Sequence, residues 1–235
     1  MIETDAPALV RLIAGKIAYR DAEGREVGRE RFEIARLADG RTVRALCEMD
    51  DAGVLRDVSL STNLDWTPRD AFCRVSHNGV TAGTTWFVVE PNVVTCEGVI
   101  AGMGRISQRT PRSTPLRYLG LHPLVGDAII TAQRGKDEPG VFRPIEGLTN
   151  SRSPNGDVGL YAMPVVIDVA YVGKEEVEVA AGRFLADHYQ LRWSPDWPPA
   201  DVWVQGEDCL FVKMTWSLIE TWYELASLEG QAAHL

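Results

Sequence analysis

The sequence predicts an all-β protein with a minor α component, built on a strongly curved antiparallel sheet of about eleven or twelve strands. Extended segments of roughly eight to twelve residues recur along the chain and end at turns rich in glycine, asparagine or aspartate. Apolar and polar residues alternate within these segments, which is typical of strands with one buried face. Because a twisted sheet of this size must curl or close, we expect a half-barrel or a barrel.

The first half of the chain is predicted to be a run of hairpins that join neighbouring strands. In the third segment Val43, Ala45 and Cys47 share one face, and polar residues stand between them. The Asn78-Gly79 turn is the strongest short signal for a hairpin. The predicted extended segments of this half are Leu9–Tyr19, Glu26–Leu37, Thr42–Met49, Leu55–Thr62, Ala71–Ser76, Val80–Val89 and Val93–Ile100.

The second half continues this pattern after an irregular insertion, residues 105–153, which is rich in Arg, Pro, Gly and Ser. Within it, Leu119–Gln133 is expected to form one or two short helical turns with Pro123 near the start. Segments of this length are often lids or binding loops, so we predict a lid role. No linker divides the chain, and residues 1–235 are expected to form one domain. The remaining extended segments are Leu160–Tyr171, Glu176–Ala180, Arg183–Trp193, a strand at Trp203, Leu210–Trp216 and Thr221–Leu225.

The composition excludes several classes of function. The net charge of -9 disfavours nucleic acid and anionic membranes as partners, because both attract a positive surface. The four cysteines form no metal-ligand spacing, and we expect them to be reduced and buried. The N-terminal residues lack the basic and apolar regions of a signal peptide, and no apolar run is long enough to span a bilayer. These observations predict a cytoplasmic protein.

Three stretches of the second half resemble an uncharacterised bacterial family. They are Gly120–Asp127 (GLHPLVGD), Tyr171–Val179 (YVGKEEVEV) and Ala181–Tyr189 (AGRFLADHY). The resemblance implies the half-barrel of lipoprotein-localisation carriers, a shape that is shared by a cofactor-independent enzyme of violacein biosynthesis. The resemblance concerns the fold, because the shared residues are mostly turn glycines and apolar strand residues.

A curled sheet of this size can enclose a cavity on its concave face, and we expect a small hydrophobic or aromatic ligand there, with an anionic group as one option. Trp86, Trp193, Trp216 and Tyr161 are candidates for its lining; the alternative is that the tryptophans fill the core and that Tyr161 is a half-buried strand aromatic. Two functions fit such a cavity: a cofactor-independent lyase, isomerase or hydratase, or a non-catalytic carrier of an apolar ligand. A module that recruits a protein through its sheet edges is a third, and homodimerisation is left open.

Four residues are candidates for acid/base chemistry. His122 stands in a Gly/Pro-rich loop, and Asp127 follows where it could orient the imidazole at a cavity mouth; a structural turn histidine is the alternative. His188 shares one face of its strand with Arg192, and that face is either a wet cavity lining or a solvent-facing side. Tyr189, on the opposite face, is a candidate hydrogen-bond donor.

Four arginines, Arg105, Arg109, Arg112 and Arg117, stand in a stretch without acidic side chains. Their guanidinium groups could bind a carboxylate or phosphate and attract an anionic ligand, unless acidic residues of neighbouring strands neutralise them. The sequence contains no GxSxG, GxGxxG or HExxH motif, and its four histidines are scattered. We therefore expect neither a cofactor nor a metal.

Overall fold

A computed structural model describes residues 11–153, 159–219 and 221–230 of the chain. Fifteen strands form a single sheet in this part of the chain, together with one short α-helix and one 3-10 turn. The elements are β1 Arg11–Arg20, β2 Glu26–Arg36, β3 Gly40–Met49, β4 Val54–Asn63, β5 Pro68–His77, β6 Val80–Glu90, β7 Val93–Ile100, β8 Gly104–Pro111, β9 Tyr118–Gly120, α1 Leu124–Ile130, the 3-10 turn Thr131–Gln133, β10 Arg143–Thr149, β11 Met163–Val179, β12 Gly182–Arg192, β13 Ala200–Gln205, β14 Leu210–Trp216 and β15 Thr221–Glu229.

The strands form two meanders that meet in the middle of the sheet. Strands β1 to β8 follow one another to one edge, β15 to β9 follow one another to the other edge, and β1 pairs with β15. All neighbours are antiparallel except β9 and β10, which are parallel because α1 lies between them in the chain. The predicted curved antiparallel sheet is confirmed, and the sheet is not closed, because β8 and β9 are its edges.

The two ends of the sheet approach each other without pairing as strands. The Gln108 side chain of β8 donates a hydrogen bond from Nε2 to the Ala162 carbonyl at 3.4 Å, and its Oε1 accepts one from the Ala162 backbone amide at 2.8 Å. Ala162 directly precedes β11, which lies in the other meander. Gln108 of the edge strand β8 thus links the first meander to the segment that precedes β11 in the second.

The sheet contains more strands than the sequence predicts, because the insertion 105–153 contributes β8, β9 and β10 besides the helix. The alternation along β8 is hard to recognise, since its half-buried positions are Ile106, Gln108 and Thr110. The short helix itself begins directly after Pro123, as predicted. No helix in the described ranges is long and apolar enough to cross a membrane.

The core lies on the concave face of the sheet and around α1. Along β4, for example, every second residue from Val54 to Thr62 is buried, and the residues between them are half-buried or exposed. Helix α1 buries Leu124, Val125 and Ala128 together with two isoleucines. The four cysteines are buried and free, as expected for a protein that needs no disulfide to fold.

Candidate functional site

A cavity of about 670 Å³ lies on the concave side of the sheet, beside the start of α1. Residues of both meanders line it, since β1, β3 and β4 contribute from one side and β11, β14 and β15 from the other. Its volume falls in the range of roughly 300–1,000 Å³ that is typical of small-molecule sites.

One part of the cavity wall is apolar and aromatic. The Trp216 ring lies 5.0 Å from that of Trp193 and 5.7 Å from that of Trp197, measured between centroids. The indole N–H of Trp216 donates to the Pro198 carbonyl at 2.8 Å, which fixes the orientation of the central ring. The aliphatic side chains that complete this wall are Val27, Met49, Val165, Ile167, Met214 and Ile219.

The polar part of the cavity lining includes Asp127 from the first turn of α1. Its Oδ1 accepts a hydrogen bond from the Tyr118 hydroxyl at 3.0 Å, and its Oδ2 has no hydrogen-bond partner among the described residues. Burial raises the pKa of this carboxyl to about 7, the Tyr118 hydrogen bond opposes that increase, and the charge of Glu30 adds to it. Asp127 therefore changes charge near neutral pH while it faces the cavity.

Glu30 of β2 is fully buried behind this wall. Its carboxylate accepts the backbone N–H groups of Leu124 at 2.7 Å and Val125 at 3.0 Å, and the Tyr19 hydroxyl at 3.2 Å. Burial raises the pKa of Glu30 to about 7, against the lowering effect of these hydrogen bonds. Glu30 thus satisfies the otherwise unpaired amides at the start of α1 and holds the helix against the sheet.

Arg56 of β4 is the buried cation of the same inner face, with 1% of its surface exposed. Its guanidinium donates to the Leu121 carbonyl at 3.3 Å and to Oδ1 of Asn150 at 3.5 Å. Cys47 is the register partner of both Arg56 and Glu30, so the two charges stand in one row across three strands. Sequence analysis missed both residues, although each occupies an inward position in an otherwise apolar alternation.

Of the predicted catalytic pair, His122 and Asp127 both line the cavity, but they are not hydrogen-bonded to each other. Nε2 of His122 lies 3.3 Å from the Ser151 carbonyl oxygen, whereas Asp127 engages Tyr118. His122 adopts a positive φ of 76°, which turns the chain between β9 and α1. The expected orientation of the imidazole by Asp127 is therefore not observed.

His188 lies on the solvent-facing side of β12, outside the cavity. Its Nε2 is 2.7 Å from Oδ1 of Asp201, its Nδ1 is 3.4 Å from Oε1 of Glu175, and its ring stacks on Trp203 at 4.5 Å. Tyr189 points the other way into the core, 5.2 Å from the Tyr171 ring, and does not line the cavity either. The face of β12 that carries His188 and Arg192 is therefore the solvent-facing side and not a cavity lining.

The arginine cluster also lies away from the cavity, on and after the edge strand β8. Arg105 and Arg112 approach Glu97 at 3.7 Å and Glu146 at 3.5 Å, as the neutralisation alternative anticipates. Arg109 is exposed, and Arg117 is bound to Gln133. The guanidinium of Arg192 packs on the Phe142 ring at 4.1 Å, while Trp86 and Tyr161 are exposed. Of the predicted site residues, the cavity brings together His122, Asp127, Trp193 and Trp216.

Comparison with known proteins supports the fold and supplies no family name. The chain matches no family profile, and no curated protein matches it significantly. Among solved structures it resembles a β-barrel-like protein of the domain of unknown function DUF1849 from Brucella abortus, with a TM-score of 0.57 and 11% identity over 97% of this chain and all of that chain. A DUF1089 family protein from Pseudomonas aeruginosa has a TM-score of 0.49 and 14% identity over 81% of this chain and 90% of its own. The likeness to the DUF1849 protein, at 11% identity, shows the fold alone.

The predicted cytoplasmic location is not retained, since a third match is described as an exported protein. A Bacteroides fragilis protein that is described as exported and as having a YmcC-like fold aligns with 93% of this chain and 95% of its own, at a TM-score of 0.34 and 11% identity. The cytoplasmic expectation depended on the first residues of the chain, and residues 1–10 lie outside the described part. The cytoplasmic assignment is therefore withdrawn, and no location is assigned in its place.

Proposed function

We propose that this protein binds a small molecule with a large apolar or aromatic body in the cavity. The observation that carries the proposal is the cavity itself, about 670 Å³ in volume, whose lining combines a tryptophan cluster with polar side chains such as Asp127. Concave sites of this volume with aromatic walls and placed polar groups are typical of small-molecule binding. The expected anionic ligand loses its main support, because the arginine cluster lies outside.

The aromatic wall supports binding of a flat or extended apolar body. Trp216 is held between Trp193 and Trp197 and by its hydrogen bond to Pro198, so its ring needs no ordering when a ligand arrives. A wall that is already ordered avoids part of the entropy cost of association. Met214 on the same strand adds an adaptable side chain that can follow the shape of a ligand.

Non-catalytic binding is the function that this geometry supports best, and it agrees with the implied likeness to carrier half-barrels. Cofactor-independent acid/base chemistry of the lyase or isomerase type is the second candidate. The observation that favours it is Asp127, which faces the cavity, is oriented by Tyr118 and has a pKa near 7. In both functions the ligand must first occupy the same cavity.

Native mass spectrometry of the protein purified from its own host tests the binding step. We expect a retained small molecule with a substantial apolar part, and its loss from the Val165→Trp variant, because the indole would fill the cavity. Val99→Trp is the matched control, since Val99 is 60% exposed on β7 and does not line the cavity. Equal retention by both variants would contradict the assignment of the site. Turnover of the identified ligand, and its loss in Asp127→Asn, would decide for catalysis.

A further inference from the structure

We propose that the cavity selects a ligand whose apolar body carries a protonated amine, with the Asp127 carboxylate as its counter-ion. This inference rests on the proposed binding function and names the chemistry of the ligand's polar end. It follows from the position of Asp127, from the partners of the other buried charges beside the cavity and from the aromatic rings near the carboxylate.

The Asp127 carboxylate presents an unoccupied acceptor to the cavity. One oxygen accepts the Tyr118 hydroxyl at 3.0 Å, and the other has no partner within the described ranges of the chain. Tyr118 is buried and has its only hydroxyl proton directed to Asp127, so it orients the carboxylate without neutralising it. A ligand group that donates a hydrogen bond and carries a positive charge would bind this oxygen and also balance the charge of the carboxylate.

The buried charges beside the cavity differ from Asp127 in their partners. Glu30 accepts the backbone amides of Leu124 and Val125, and Arg56 donates to the Leu121 carbonyl and to Asn150. Asp127 differs in that it lines the cavity with one oxygen that no described residue contacts by a hydrogen bond.

Aromatic rings near Asp127 favour a cation further. Tyr223 lines the same cavity, and its ring packs edge-on against Tyr19 with 5.1 Å between the centroids. The negative charge of Asp127 raises the pKa of Tyr223, after the larger effect of burial, which places the two groups within electrostatic range. Ring faces attract ammonium groups, and this attraction grows when the cation is removed from water.

The alternatives to an amine fit the cavity less well. A carboxylate or phosphate near Asp127 would add a second negative charge to a half-buried one, and the like charges would repel. A neutral alcohol could donate one hydrogen bond to Asp127 but would leave the charge uncompensated. An ammonium group supplies both the donor and the charge.

The protonation of Asp127 makes amine binding dependent on pH. The pKa of Asp127 is raised to about 7, so the carboxyl is largely neutral at pH 6 and largely ionised at pH 8. The titratable groups that face it are Tyr118, Glu30, Tyr223 and His122. Since the ammonium group favours the ionised form of Asp127, amine binding near neutral pH releases a proton, and affinity increases with pH.

Three probes with one aromatic body test the inference by isothermal titration calorimetry on the full chain. They are 2-(2-naphthyl)ethylamine, 2-(2-naphthyl)ethanol and 2-naphthylacetate, which are cationic, neutral and anionic. At pH 8 we expect the amine to bind at least about tenfold more tightly than the alcohol, and 2-naphthylacetate to bind most weakly. At pH 6 the advantage of the amine is expected to fall to about threefold or less, because most of Asp127 is then neutral.

Asp127→Asn is the decisive variant, because asparagine keeps the shape and the acceptor for Tyr118 but removes the charge. We expect the amine and the alcohol to bind it with equal affinity, within about twofold. Asp201→Asn is the control on the solvent-facing side, and it is expected to keep the full preference for the amine. The unfolding transition of each variant checks that the fold is retained.

The possible failures are distinguishable. If the alcohol binds but the amine has no advantage, or if Asp127→Asn keeps the advantage, the choice of an amine is overturned and the proposed cavity function stands. Tightest binding of 2-naphthylacetate would also overturn it in favour of an anionic ligand. If none of the three probes binds, both the amine inference and the proposed function for aromatic ligands fail.

Discussion

Asp127 of α1 and Asp201 of β13 lie on opposite sides of the sheet, and their surroundings give them opposite properties. Asp127 faces the cavity, where burial raises its pKa to about 7 and Tyr118 is its one hydrogen-bond donor among the described residues. Asp201 is also partly desolvated, but hydrogen bonds from His188 and Gln190 outweigh that effect and lower its pKa. The difference teaches that a carboxylate whose charge is stabilised by several neighbouring donors is a poor candidate for a ligand site, whereas a desolvated carboxylate with one donor in a cavity is a good one.

The largest change in stability is expected from Glu30→Ala, which removes the buried carboxylate that binds the first amides of α1 behind the cavity wall. Two amides of α1 would lose their acceptor, and a buried space would form, so the free energy of unfolding should fall by about 3–5 kcal/mol. Urea denaturation measures this value. Glu33→Ala is the control on the same strand, because the Glu33 side chain is half exposed and its ion pair with Arg44 is long, at 3.9 Å. A loss below about 1 kcal/mol for Glu30→Ala would contradict the anchoring role.

The second effect concerns the aromatic wall. Trp216→Leu should weaken binding of an aromatic ligand about tenfold and lower the free energy of unfolding by about 2–3 kcal/mol, because Trp216 is the centre of the tryptophan cluster. Trp86→Leu is the matched control, since Trp86 is 52% exposed and lies outside the cavity. Calorimetry and urea denaturation of both variants separate the two roles. Equal effects of the two substitutions would show that the tryptophan cluster is not part of the ligand site.

The third effect is the dependence of stability on pH, where the two aspartates should differ in sign. Between the ordinary carboxyl pKa of about 4 and the raised value near 7, the folded state binds more protons through Asp127 than the unfolded state does. The free energy of unfolding should therefore fall as pH rises from 5.5 to 8, and Asp127→Asn should remove on the order of 2 kcal/mol of that fall.

Asp201→Asn is the control for this slope of the free energy of unfolding against pH. A lowered pKa stabilises the folded state above the ordinary carboxyl pKa, and that stabilisation is lost only at more acidic pH. The slope between pH 5.5 and 8 should therefore be unchanged in this variant. An unchanged slope in Asp127→Asn as well would mean that Asp127 does not titrate near neutral pH in the folded protein.

The smallest effect is expected from His188→Gln on the solvent-facing side. The contacts of His188 with Asp201 and Glu175 are near the surface, so their loss should change the free energy of unfolding by about 0.5–1 kcal/mol. Affinity for a cavity ligand should be unchanged within about twofold, as calorimetry would show. A tenfold loss of affinity would make His188 part of the ligand site, and the contrast between the two faces would fail.

Much of the fold could be predicted from the sequence, because local alternation and hairpin turns specify antiparallel neighbours. The missing strands show the limit of this reasoning. Strand β8 is an edge strand with Gln108 at an inward position. Gln108 forms its hydrogen bonds there with Ala162, which is distant in the chain, so the local pattern of β8 does not predict this position. Strand β9 spans three residues and pairs in parallel with β10, which no local pattern indicates.

The site was less predictable for a related reason. The pairing of Asp127 with Tyr118 depends on the turn at His122, where an unusual positive φ joins β9 to α1. Glu30 and Arg56 could have been found, since charged residues at inward positions of an apolar alternation indicate buried polar contacts. The burial pattern of β12 likewise places His188 outside, because its neighbours Asp187 and Tyr189 are buried.

Methionine-methyl NMR tests the central claim, that small apolar molecules enter this cavity, most directly. Met214 and Met49 line the cavity, whereas Met103 is 62% exposed and lies outside it. On titration with the three naphthyl probes, the account predicts saturable shifts of the Met214 and Met49 methyl signals and no shift of the Met103 signal. Unchanged Met214 and Met49 signals, or a Met103 shift of equal size, would contradict the account.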